Sequence, residues 1–102
     1  FIKKTEQYLS SKNITIIEKE IIRKNLDIEF KVNIPSDIGN LEYFVKFINK
    51  KRINETDLIL AYSKAQDKNL PCLLLTDGKL TNKANDYFNK KLKGIMSIIF
   101  YK

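Results

Sequence analysis

The sequence has no histidine, no tryptophan and a single cysteine, Cys72. Each gap excludes a class of chemistry. Without histidine there is no Ser-His-Asp or Cys-His nucleophile, no imidazole general base and no imidazole metal ligand. One cysteine rules out an internal disulfide framework and any multi-cysteine metal centre. With only three glycines and two prolines in 102 residues, disorder is not expected. No apolar run approaches the roughly 20 residues a helix needs to cross a bilayer, and no signal-peptide pattern opens the chain. An intracellular protein without membrane contact is the expectation.

Carboxylates, lysines, hydroxyls and backbone remain to do the work. Hydrophobic residues make up 43% and charged residues 30%, a balance that fits one globular domain over residues 1–102. The net charge is +7, from 19 Lys+Arg against 12 Asp+Glu. A small basic domain suggests a polyanionic partner, most often nucleic acid. The competing explanation is compositional. Only Arg23 and Arg52 are arginines, and abundant Lys, Ile and Asn also follow from an A/T-rich genome. The chain begins at Phe1, which suggests a piece of a longer protein whose remainder shares in the function.

The pattern along the chain predicts eight elements. Phe1, Ile2, Thr5, Tyr8 and Leu9 share one helical face, and Lys12-Asn13 is a plausible stop. The β-branched stretch 14–22 reads as a strand, followed by a turn at Arg23-Lys24-Asn25. Residues 26–34 alternate perfectly. Leu26, Ile28, Phe30, Val32 and Ile34 face one way, and Asp27, Glu29, Lys31 and Asn33 the other. Residues 35–40 form a loop. A third strand over 41–48 carries Tyr43, Val45 and Phe47 on one side and Glu42, Phe44 and Lys46 on the other. Asn54 caps a helix reaching Leu70, with acids in its first turn. Cys72–Leu75 is a continuously apolar interior strand. Asp77-Gly78 turns, Thr81 caps a helix to Lys93, and 95–101 is the last strand. The order is α-β-β-β-α-β-α-β, an α/β fold with a mixed central sheet and helices on both faces.

That order resembles the core of the PD-(D/E)xK, restriction-endonuclease-like, nuclease superfamily. The segment Leu75-Thr76-Asp77-Gly78-Lys79-Leu80-Thr81-Asn82-Lys83-Ala84 looks like the strand, turn and Thr-x-x-Ala helix start of its Mrr type. The resemblance implies a Mg²⁺-dependent phosphodiesterase site. An acid on the second strand and an acid-x-Lys triplet on the third hold the metal and steady charge on the phosphate. Carried over, Asp27 or Glu29 is the metal-binding acid and Lys46 the lysine. The triplet's acid falls on residue 44, which is Phe, so the site departs from the family pattern. Glu42 lies ~13 Å from Lys46 at strand rise, too far to replace it. A second candidate is Glu29-Phe30-Lys31, an acid-x-Lys triplet one strand early, with Glu18 or Glu20 as the other acid.

The candidate catalytic set is therefore Asp27, Glu29, Lys31 and Lys46, with Asp27 and Glu29 as metal ligands. Lys50, Lys51 and Arg52 form a loop cluster suited to phosphate contact. Plainer roles stand beside these. Asp27, Glu29 and Lys31 also suit a solvated strand face with cross-strand pairs. Phe44 on the polar side of its strand argues for a helix lying over it. The cofactor expectation is Mg²⁺ if the site is intact and none otherwise. The expected partner is nucleic acid, DNA before RNA, with the rest of the parent protein and a homodimer also open. The alternative function is a catalytically silent nuclease-like module that serves as a protein-interaction or structural domain.

Overall fold

A computed structural model of the chain describes residues 2–23 and 26–100. Helix α1 (Ile2–Ser11) buries Thr5 and Leu9, one helical turn apart, and ends where Asn13 adopts a left-handed φ of 60°. Strands β1 (Thr15–Arg23), β2 (Asp27–Ser36) and β3 (Gly39–Ile48) form an antiparallel meander. Of the turn expected at Arg23-Lys24-Asn25, Arg23 belongs to β1 and pairs with Asp27, and Lys24 and Asn25 lie outside the described residues.

The loop expected over 35–40 is tighter than that. Both strands run into it and leave two residues, Asp37 and Ile38, between the partners Ser36 and Gly39. The Ser36 hydroxyl donates to the Gly39 carbonyl at 2.6 Å and accepts from the Ile38 N–H at 3.3 Å. Gly39 supplies the positive φ of 119° that closes the hairpin.

After β3 come a two-residue strand β4 (Arg52–Ile53) and helix α2 (Glu55–Asp67). Asn54 caps α2 in a full capping box with Asp57. Strand β5 (Cys72–Thr76) is buried at all five positions, as an interior strand covered on both faces should be. Strand β6 (Lys79–Leu80) and helix α3 (Asn82–Tyr87) follow, with Thr81 capping α3. The helix expected to reach Lys93 changes pitch at Phe88 and runs to Leu92 as a wide π-turn. Eight residues overshoot two α-turns, and the wider turn brings Leu92 back onto the buried stripe of Ala84. Strand β7 (Met96–Phe100) completes the sheet.

The main sheet has the order β1-β2-β3-β5-β7, with β3, β5 and β7 parallel. Helix α1 packs on one face, where its Leu9 joins Ile28, Phe30, Val32, Val45, Phe47, Leu73 and Leu75. On the other face α2 and α3 cover Phe44, Ile48, Cys72, Leu74 and Met96. The perfect alternation of β2 thus divides between two covered faces. Its odd-numbered residues Asp27 and Glu29 point under α2 and are buried, where a solvated strand face was the plainer expectation.

Candidate functional site

The antiparallel register of β2 and β3 sets Glu29 directly opposite Lys46. The Lys46 ammonium donates to Glu29 Oε2 at 2.9 Å and lies 3.6 Å from Asp27 Oδ2. Asp27, Glu29 and Lys46 are 5%, 4% and 8% exposed, so all three are buried. Two further cations reach in from the rim. Lys64 of α2 meets the same Glu29 oxygen at 2.8 Å. Arg23, at the end of β1, forks onto both oxygens of Asp27 at 3.0–3.3 Å. Three cations therefore hold two carboxylates.

Burial pushes the Asp27 carboxyl upward, but the Arg23 hydrogen bonds and the Lys46 charge outweigh it and hold it below the ordinary carboxylate range. The hydrogen bond to Glu29 raises the Lys64 ammonium, and that to Asp27 raises the Arg23 guanidinium. Among the described residues no buried side-chain nitrogen or oxygen lacks a partner. Magnesium takes about six oxygen ligands in octahedral geometry. Asp27 and Glu29 both come from one strand and are already held by cations, and no group of three His, Cys, Asp or Glu among the described residues is arranged to hold a metal.

The other members of the expected site lie further along the same face. Lys31 stands opposite Phe44, and its ammonium is 3.7 Å from Glu42 in a partly exposed pair. Phe44 itself is 1% exposed and belongs to the core under α2 and α3, as its place on the polar side of β3 suggested. Glu20 pairs with Glu29 and Glu18 with Lys31 across β1 and β2, around an open groove. Lys64 was missed from the sequence because it sits in a helix without an acid-x-Lys context. Its position one turn before Lys68, on the side of α2 that faces β2, emerges only from packing. Cys72 is a buried free thiol whose pKa burial pushes up to about 12, which leaves it unreactive.

The basic loop behaves differently. Lys50 turns inward, and its ammonium is 2.9 Å from Asp57, so it is tied to the cap of α2. Lys51 and Arg52 are exposed. The loop is held by backbone. Thr76 donates its hydroxyl to the Ile48 carbonyl at 2.9 Å and accepts from the Gly78 N–H at 3.0 Å. The Lys79 N–H reaches the Lys51 carbonyl and the Thr81 N–H the Ile53 carbonyl, both at 2.9 Å. A Cβ on Gly78 would collide with the Lys50 carbonyl oxygen. The two loops thereby zip β4 to β6 in parallel, and Arg52 becomes the register partner of Lys79. No side chain of Lys51, Arg52 or Lys79 is in an ion pair with another described residue. Lys79 joins this surface by pairing with Arg52, a residue distant in the sequence, which no local pattern announces. The surface lies beyond the carboxyl ends of the parallel strands, where open α/β sheets place their ligands.

No protein-family model matches the chain, and no curated protein sequence matches it. Among solved structures it is similar to EndoMS in its apo form, with a TM-score of 0.64 and 10% sequence identity. The match covers 98% of this chain and 45% of that one, so the chain spans less than half the length of the EndoMS structure. At that identity the likeness is one of fold, a mixed α/β architecture with a central sheet flanked by helices.

Proposed function

We propose that this is a nucleic-acid-binding domain of the restriction-endonuclease-like class whose acid cluster serves as a structural ion network in place of a Mg²⁺-dependent cutting site. One observation carries the reading: Lys46 and Lys64 share Glu29 while Arg23 forks onto Asp27. A dication entering there meets three fixed positive charges and must displace at least one of them. Phe44, buried where the triplet's acid would stand, supports the same view. The Mrr-type kinship rests on Leu75–Ala84, which forms a strand end, a turn and a Thr81-capped helix in that order.

Binding falls to the exposed basic surface of Lys51, Arg52 and Lys79, with DNA the polymer the class favours. Such contacts position a phosphate backbone without reading its sequence. A second reading keeps the fold and drops the nucleic acid: a silent module that docks within its parent protein or on a second copy. The exposed Ile95, Ile99 and Phe100 along the β7 edge favour it.

The test is anisotropy of labelled single-stranded and duplex DNA over a salt series, beside incubation of plasmid with Mg²⁺ or Mn²⁺. Salt-sensitive binding that Arg52→Ala with Lys79→Ala weakens, without cleavage, is the expected result. Metal-dependent cleavage abolished by Glu29→Gln would restore the nuclease. Absence of binding to either polymer would move the reading to the docking module.

A further inference from the structure

Beside the basic surface, at the same end of the sheet, a groove of about 730 Å³ opens between α3 and β7. A volume of this size suits a small organic ligand or one nucleotide. Its walls combine three chemistries. Asn82, Asn85 and Asn89 line one side at the spacing of a single helical face, and all three are exposed. Phe88 and Phe100 line it as well, and Phe100 is 55% exposed, unusual for so large an apolar side chain. Lys79 stands at the mouth and belongs both to this groove and to the basic loop.

Together these features fit one kind of occupant. A carboxamide presents donor and acceptor together, as the edge of a nucleobase does. An exposed ring offers a stacking platform for a base of any sequence. A cation at the mouth, with Lys51 and Arg52 beyond it, complements the phosphates on either side. A base inside a duplex has both faces stacked and its edge paired, so the occupant must be unpaired. The register of β5 and β7 puts Phe100 beside Thr76 at the strand end, within the same carboxyl-end surface that carries Arg52 and Lys79.

We propose that the groove between α3 and β7 takes a base from single-stranded nucleic acid, stacked on Phe100 and hydrogen-bonded by the asparagine row, with Lys79 on the adjoining phosphate. This rests on the nucleic-acid reading above and narrows it to unpaired strands. Asp77 also lines the groove and is its one unfavourable charge toward phosphate among the described lining residues.

The experiment uses a fluorescein-labelled oligothymidine of about 12 nucleotides, within the usual single-strand site range, and a duplex of equal length. A third probe carries one 2-aminopurine, whose emission reports stacking. Phe100→Leu keeps the apolar bulk and removes the ring, and Asn85→Ala changes an exposed position, so neither disturbs the core. In Phe100→Leu the single-strand affinity is expected to fall about tenfold. Duplex affinity and the salt slope should not change, and the 2-aminopurine quench should be lost. Asn85→Ala should also lower the single-strand affinity, by less than Phe100→Leu does. Unchanged single-strand affinity and quench in both variants, while Arg52→Ala with Lys79→Ala still loses binding, would overturn the groove and leave the basic surface standing. No binding of any probe by the wild type would remove the nucleic-acid reading itself, and the groove with it.

Discussion

Two charged regions of this chain look alike on paper and behave oppositely in space. Arg23, Asp27, Glu29, Lys46 and Lys64 gather around β2, and each charge in that cluster meets an opposite one. Lys51, Arg52 and Lys79 gather at the strand ends, exposed and in no ion pair with another described residue. In the first region carboxylates and helix α2 close the site. In the second, backbone pairing gathers like charges and leaves them facing water. The contrast teaches that a motif residue's role follows from what covers it. Asp27 and Glu29 have the right chemistry for a metal, yet their electrostatic needs are met from within. The basic loop lacks a motif, yet its charge remains available to a partner.

The contrast can be broken by unbalancing the closed region. Lys46→Met removes the cation that reaches both carboxylates and leaves buried negative charge with less compensation. A loss of about 3 kcal/mol in urea unfolding is expected, since breaking a buried pair costs that order. A change within experimental error would mean the cluster is not a structural network. Next in size is Gly78→Ala, which drives a Cβ against the Lys50 carbonyl oxygen. About 2 kcal/mol of destabilisation is expected from forced overpacking, together with weaker nucleic-acid binding as β4 and β6 separate.

A smaller effect should appear in acid. Asp27 titrates lower in the folded protein than in the unfolded chain. Its contribution to stability is therefore complete above the unfolded value of about 3.9 and is lost as pH falls through the lower folded value. Thermal melts of Asp27→Asn should show a shallower decline than wild type below about pH 4, and parallel curves would contradict the pairing. The smallest effect on stability belongs to the open region. Arg52→Ala and Lys79→Ala should each shift stability by less than about 0.5 kcal/mol, while together they lower the salt slope of DNA binding by about 2. A large stability loss from either would show that the ridge is structural after all.

Much of this arrangement was legible in the sequence. The alternation of 26–34 and the Asn54 and Thr81 caps read correctly because they are local signals with local causes. Phe44 also announced the helix above it, since an aromatic on a polar strand face needs cover. What stayed hidden was set by contacts between distant segments. The burial of Asp27 and Glu29 depends on where α2 crosses the sheet, and a period of two cannot tell a solvated face from a covered polar one. Lys64 enters the cluster only through that crossing. Strands β4 and β6 are two residues each, too short for periodicity, and exist because Thr76 and Gly78 bring two loops together. The shift to a π-turn at Phe88 likewise answers a packing demand on Leu92 that no capping residue signals.

The most direct test of the central claim is calorimetric titration of Mg²⁺ and Mn²⁺ into the wild type and Glu29→Gln. If the carboxylates are satisfied by Arg23, Lys46 and Lys64, neither protein gives a saturable heat in the millimolar range. Saturable binding of one ion by the wild type, lost in Glu29→Gln, would show that the metal displaces the lysines and that the cluster is a metal site.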